Sequence, residues 1–163
     1  MISKIEELGI NTIRTLAVEA IDKANSGHPG IALGAAPIMH TLFSKSMKIS
    51  PKNSKWINRD RFVLSARHGS ALLYATLHLF GYDVTIDDIK AFRSLNSITP
   101  GHPEVHLTDG VDASSGPLGQ GIAEGIGMAI AEKHLNAKFP QLIDHYTFIL
   151  CGDGDLQEGI TQE

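Results

Sequence analysis

The chain has 163 residues, of which 42% are hydrophobic and 20% are charged, and its net charge at pH 7 is −4. This composition is typical of a globular protein, and it argues against nucleic acid or an acidic membrane surface as a partner. The apolar runs are shorter than a membrane span, the N-terminus lacks a signal-peptide core, and the single cysteine, Cys151, excludes an internal disulfide. We therefore expect a soluble, cytoplasmic chain.

Hydrophobic spacing predicts a first helix over about 4–25, begun by a capping box of Ser3 and Glu6. A second helix is predicted over about 35–47, with Pro37 in its first turn. The later predicted elements are a strand over 61–65, a helix over 70–81, a short helix begun by Thr85 and Asp88, a loop over 94–118, a helix over 119–136 and a buried strand over 145–151.

Glycines on the 119–136 helix indicate close packing. Gly121, Gly125 and Ala129 lie four apart on one face, which lets another backbone approach closely. Two strands among helices, the second leading into a glycine turn and a new helix, predict an α/β fold with a partial parallel sheet flanked by helices. Two strands are too few for a full sheet of this type, so the pattern predicts an incomplete architecture.

The turn Gly152-Asp153-Gly154 follows the second predicted strand, where ligands bind in parallel α/β sheets. Glycines let the backbone approach an anion, the next helix offers free N–H groups, and the carboxylate suits Mg²⁺. An ordinary tight turn is the alternative.

Three of the eight histidines stand beside glycine in predicted loops: His28 in "SGHPG", His68 in "SARHGS" and His102 in "PGHPE". An imidazole in such a loop can hydrogen-bond a sugar hydroxyl or a phosphate, or move a proton. Each could also be an ordinary surface histidine. The stretch "SSGPLGQG" could place Gly116 and Leu118 against a flat ring, or simply open a helix.

Taken together and in this order, "SGHPG", "LSARHGSALLY", "PGHPE", "SSGPLGQG" and "GDGDLQEG" resemble the N-terminal region of transketolases. The resemblance covers the whole chain and implies a thiamine-diphosphate-binding fold, with residues 1–163 as the N-terminal part of the diphosphate-binding domain. It also implies a homodimeric enzyme that uses thiamine diphosphate and Mg²⁺ (or Ca²⁺ or Mn²⁺). Such an enzyme transfers a two-carbon ketol unit between sugar phosphates, from a ketose to an aldose.

The resemblance also implies roles for the matching residues. These are substrate binding and catalysis for His28 and His102, cofactor binding for His68, Gly116, Pro117, Leu118 and Gly154, metal binding for Asp153, and the dimer interface for Glu158 and Glu163. The family usually has glycine where this chain has Arg67, so Arg67 either adds an anion contact or moves His68.

In the resembling family, further metal ligands and the glutamate that activates the cofactor lie beyond the position of Glu163. We therefore expect a fragment that has no ketol-transfer activity and binds the cofactor weakly or not at all. We also expect it to self-associate through an unpaired strand edge and uncovered apolar faces. The alternatives are another thiamine-diphosphate transferase such as dihydroxyacetone synthase, a split transketolase-like subunit, or a non-catalytic phosphate-binding module.

Overall fold

The computed structural model describes residues 2–163, in which helices flank a pair of parallel strands. The regular elements are α1 (Lys4–Ala24), α2 (Pro29–Thr41), β1 (Arg61–Leu64), α3 (Ser70–Leu79), α4 (Ile86–Lys90), α5 (Gln120–Lys138), β2 (Thr147–Leu150) and α6 (Asp153–Leu156). Shorter helical turns are a π-helical turn at Leu42–Ser46 and 3₁₀ turns at Pro51–Asn53, Arg67–Gly69 and Gly159–Thr161. The predicted fold, an α/β chain with a partial parallel sheet, is confirmed.

The first helix begins with the predicted capping box. The backbone N–H of Glu6 donates to Ser3 Oγ at 3.3 Å, and the N–H of Ser3 donates to Glu6 Oε2 at 2.7 Å. These reciprocal bonds satisfy two of the donors that every helix leaves free at its start. The same capping pattern begins α4, where Thr85 and Asp88 were predicted to act.

The second helix differs from its prediction at its start. It begins at Pro29, not near 35, and Pro37 lies in its interior. Proline has no N–H to donate to the carbonyl four residues earlier, which belongs to Leu33. That carbonyl instead accepts the Nε–H of Arg14 on α1 at 2.9 Å. A side chain from the neighbouring helix therefore replaces the missing hydrogen bond.

The two strands pair in parallel, with Arg61 opposite Thr147 and Leu64 opposite Leu150. On one face, β1 side chains join a core with α1, α2 and the almost wholly buried α3. On the other face α5 packs closely against both strands. A Cβ on Gly121 would lie 2.6 Å from Ser65 Cα, so the predicted close approach of α5 is confirmed.

The prediction of a buried second strand is wrong. All residues of β2, Thr147–Leu150, are only partly buried, whereas Val63 of β1 is fully buried. Each strand has one pairing partner within the described residues, but β2 packs mainly against β1 and α5, whereas side chains of β1 also join the core with α1, α2 and α3. The N–H of Phe62, on the outer edge of β1, instead donates to Asp112 Oδ2 at 2.9 Å.

Apolar side chains remain exposed on α5 and after it. The largest exposed fractions there are 69% for Tyr146, 65% for Ile130, 65% for Leu142, 54% for Leu156 and 51% for Phe139. Among residues 2–163 no helix combines the length and the apolar character that crossing a membrane requires.

Candidate functional site

The carboxyl ends of β1 and β2 lie side by side and lead into the predicted site. The N–H of Ser65, which follows β1, donates to the carbonyl of Leu150 at 2.9 Å. From there the chain enters the turn that carries His68, while β2 enters the turn Gly152–Gly154. The parallel register therefore places two of the predicted loops at one edge of the sheet.

A buried carboxylate, Asp155, connects these loops to a third. It is 1% exposed and accepts hydrogen bonds from Ser65 Oγ at 2.6 Å, from the N–H of Gly119 at 3.1 Å and from the N–H of Gly152 at 2.9 Å. Asp155 is not among the residues predicted from the sequence to form the site. The available signal was an acidic residue three positions after the N-cap glycine of a short helix.

We call His28, His68 and His102 the imidazole cluster, because the first two rings pack together and both are near enough to His102 for their charges to act on it. The rings of His28 and His68 lie 5.3 Å apart between centroids and are tilted by 60°. Partial burial, and then the charges of Arg67, Arg93, His28 and His68, lower the pKa of His102 from its ordinary value. The structure thus brings together three histidines that the sequence placed in separate loops.

Two residues that sequence reasoning missed hold the Gly-His-Pro loops in place. Arg93 donates from Nη1 to Ser26 Oγ at 2.6 Å, and its Nε lies 3.0 Å from where a Cβ on Gly101 would be. The hydroxyl of Tyr74 donates to the carbonyl of Pro100 at 2.8 Å. Arg93 therefore bridges the loops of His28 and His102. A lone arginine and a lone tyrosine in a helical pattern gave no signal for these roles.

The loop Gly116–Leu118 is exposed and lies beside the Gly-Asp-Gly turn. A Cβ on Gly154 would lie 3.7 Å from Leu118 Cδ1, whereas a Cβ on Gly116 would meet nothing within 4 Å. Leu118 is 41% exposed, and Pro117 is exposed as well. The loop thus offers an open apolar surface next to the turn, as a site for a flat ring requires.

Asp153 is the exposed first residue of α6, at the tip of β2. Within residues 2–163 no group of three or more His, Cys, Asp and Glu side chains could hold a metal ion. Mg²⁺ takes oxygens from one or two carboxylates and from phosphates. As a single exposed carboxylate, Asp153 can ligate a cation only together with oxygens from another molecule, such as those of a phosphate. Glu158 and Glu163, predicted at an interface, are both exposed.

Arg67 is buried, with 6% of its surface exposed, and its Nη2 has no hydrogen-bond partner among the described residues. Burial lowers its pKa, while the charges of Glu124, Tyr74 and Glu104 act in the opposite direction. The guanidinium is thus near enough to Glu124 on α5 and to Glu104 in the loop of His102 for their charges to act on it. Its positive charge is one cause of the lowered pKa of His102.

Two cavities lie away from the predicted site residues. A cavity of about 620 Å³ is lined by Arg59, His106 and Asp109 among others, and one of about 650 Å³ by His106 and Glu124. None of the predicted site residues lines either cavity.

The fold and the site together define an α/β chain with loops of a phosphate-binding type at the carboxyl ends of parallel strands. The family model of the transketolase thiamine diphosphate binding domain matches residues 5–163. The chain is 60% identical to the transketolase of Bacillus subtilis over 163 residues, covering 98% of this chain and 24% of that protein. It is 59% identical to the transketolase of Streptococcus pyogenes over 164 residues, covering 98% of this chain and 22% of that protein.

Solved structures of transketolases also resemble this chain. A transketolase from Leishmania mexicana superposes with a TM-score of 0.94 at 49% identity, covering 99% of this chain and 25% of that one. A Pichia stipitis transketolase in complex with sedoheptulose-7-phosphate has a TM-score of 0.94 at 51% identity, covering 98% of this chain and 24% of that one. The chain belongs to the transketolase family and matches its N-terminal thiamine diphosphate-binding domain. It spans about a quarter of the length of the curated relatives it matches.

Proposed function

We propose that this chain supplies the diphosphate-binding half of a transketolase active site. The parent enzyme binds thiamine diphosphate with a divalent cation and transfers a two-carbon ketol unit from a ketose phosphate to an aldose phosphate. The observation that carries the proposal is the meeting of the imidazole cluster, the Gly116–Leu118 loop and the Gly-Asp-Gly turn at one sheet edge.

The diphosphate of the cofactor would bind at the turn after β2. Asp153 would ligate the cation, the backbone of Gly154 would contact the diphosphate, and His68 would donate to a phosphate oxygen. The exposed Gly116, Pro117 and Leu118 would contact the cofactor rings. When bound, thiamine diphosphate supplies the electron sink for carbon–carbon bond cleavage and formation.

The residues of the protein then bind the sugar and accept its hydroxyl protons. His28 and His102 are both exposed beside His68, so a substrate can reach them. Their ring nitrogens would hydrogen-bond sugar hydroxyls near the reacting carbon. The lowered pKa of His102 favours its neutral imidazole, which can accept a hydroxyl proton at a ring nitrogen.

We also propose a homodimeric assembly and a cytoplasmic location. Glu158 and Glu163 would lie at the interface of a homodimer in the complete protein, which works in the cytoplasm. The exposed apolar side chains Ile130, Phe139 and Leu142 would drive self-association of the chain when it is studied alone.

Calorimetry with thiamine diphosphate and Mg²⁺ tests the proposal on two samples, the complete gene product and residues 1–163. We expect the complete product to bind the cofactor in a magnesium-dependent way and to transfer ketol units. We expect residues 1–163 to bind weakly or not at all and to be inactive. Tight magnesium-dependent binding by residues 1–163 would overturn the second expectation.

Single substitutions test the roles proposed for His28 and His102. His102→Ala and His28→Ala in the complete product should lower kcat/KM, whereas His134→Ala, at an exposed position on α5, should not. Equal activity in all three variants would contradict the roles proposed for His28 and His102.

A further inference from the structure

We propose that Asp155 is a positioning residue that fixes the three cofactor-binding loops relative to one another, an inference that rests on the function proposed above. Its carboxylate occupies the point where these loops converge. The donors are a side chain after β1, a backbone N–H at the start of α5 and a backbone N–H after β2.

Each donor stands close in sequence to residues with a proposed cofactor role. Ser65 precedes the turn that carries His68. Gly119 directly follows the loop Gly116–Leu118 and has a φ of 80°, which favours glycine. Gly152 directly precedes Asp153. A shift of any donor by a fraction of an ångström would therefore move a predicted cofactor contact.

The three hydrogen-bond donors around position 155 require a carboxylate there. Oδ1 accepts from Ser65 and Gly119, and Oδ2 accepts from Gly152, so both oxygens face donors. An asparagine would turn an NH₂ group toward one of these donors and lose at least one bond.

Asp155 itself does not contact the cofactor. It is 1% exposed, and its hydrogen-bonded oxygens are enclosed by the loops they join. It therefore acts through the loops, in the way that residues behind metal ligands orient those ligands. The exposed Asp153, two positions earlier, remains the residue that faces the ligand.

Asp60 provides a matched control at the opposite end of the same strands. It is 2% exposed and accepts hydrogen bonds from the N–H of Lys48 at 2.6 Å and from the N–H of Tyr146 at 2.7 Å. Asp60→Asn thus also breaks a buried carboxylate network, but one that touches no predicted cofactor loop.

The experiment compares Asp155→Asn with Asp60→Asn in the complete gene product. The first measurement is the dissociation constant of thiamine diphosphate at saturating Mg²⁺, by calorimetry. The second is the melting temperature without cofactor. We expect both variants to melt at lower temperature, but only Asp155→Asn to weaken cofactor binding, by about tenfold or more. Hydrogen exchange at the amides of Gly119 and Gly152 should also accelerate in Asp155→Asn only.

A dissociation constant for Asp155→Asn within about twofold of the wild-type value, with a melting temperature lowered as in Asp60→Asn, would overturn the inference. If Asp155→Asn does not fold, Ser65→Ala removes one donor only, and unchanged cofactor affinity in that variant has the same meaning. Absence of cofactor binding by the wild-type complete product would instead refute the proposed function.

Discussion

The contact between Gly121 and Ser65 sets how closely α5 approaches the sheet, and Gly121→Ala tests it. An added Cβ would lie 2.6 Å from Ser65 Cα and 2.8 Å from Ser65 Cβ, well below the 3.4 Å at which ordinary contact begins. The closest atom belongs to the backbone, so no rotamer change relieves the clash. The start of α5 or the end of β1 must move instead.

Two opposing effects set the expected change in the free energy of unfolding of Gly121→Ala. Overpacking a tight interior position costs about 1–3 kcal/mol, and alanine gains at most about 1 kcal/mol over glycine in a helix. The backbone clash outweighs the gain, so we expect a net loss of about 1–2 kcal/mol in the free energy of unfolding. The displacement also disturbs Ser65, which donates to Asp155.

Gly127→Ala is the matched control on the same helix, because a Cβ there meets nothing within 4 Å. That variant should be more stable than the wild type by about 0.5–1 kcal/mol. Urea unfolding of residues 1–163, followed by far-UV circular dichroism, measures both changes. A Gly121→Ala variant as stable as Gly127→Ala would refute the reasoning from close approach.

Two further predictions concern Arg67. In an NMR titration of residues 1–163, His102 should show a pKa below its ordinary value of 6.5, and Arg67→Met should raise that pKa because it removes a nearby positive charge. A His102 pKa that does not respond to Arg67→Met would contradict the proposed proximity of the two side chains. In the complete gene product, Arg67→Gly should change the affinity for thiamine diphosphate, either by loss of an anion contact or by a shift of His68. Unchanged calorimetric affinity would exclude both alternatives.

Elements with local signals were predicted well. The capping box of Ser3 and Glu6 and the paired signals of Thr85 and Asp88 each involve atoms only three residues apart, so the sequence contains both partners. The helix predicted over 70–81 ends at Leu79, two positions before Gly81, which adopts a φ of 85° that glycine favours.

The start of α2 could not be predicted in this way. Pro37 normally marks the first turn of a helix, since it leaves a carbonyl without its donor. Here the donor is Arg14, which lies on another helix and 19 positions from Leu33 in the chain. Only the packing of α1 against α2 shows that this hydrogen bond is available.

The site residues also differ in whether local sequence patterns predict them. Glycine and proline next to His28 and His102, and glycines around Asp153, follow from local backbone geometry and are visible in the sequence. Arg93 carries no local motif, and Asp155 has only its spacing from Gly152, because Ser26, Ser65 and Gly119, their other partners, lie far along the chain.

The sequence by itself thus determined the elements, the order of the strands and the loops that carry chemical groups, since each depends on near neighbours in the chain. The tertiary structure alone decided that three histidines share one cluster and that a buried carboxylate joins three loops. Parallel pairing of β1 with β2 brings together residues about 90 positions apart, such as Ser65 and Asp155. Contacts over that separation follow from the packing of the helices around the strands, and short-range patterns do not encode them.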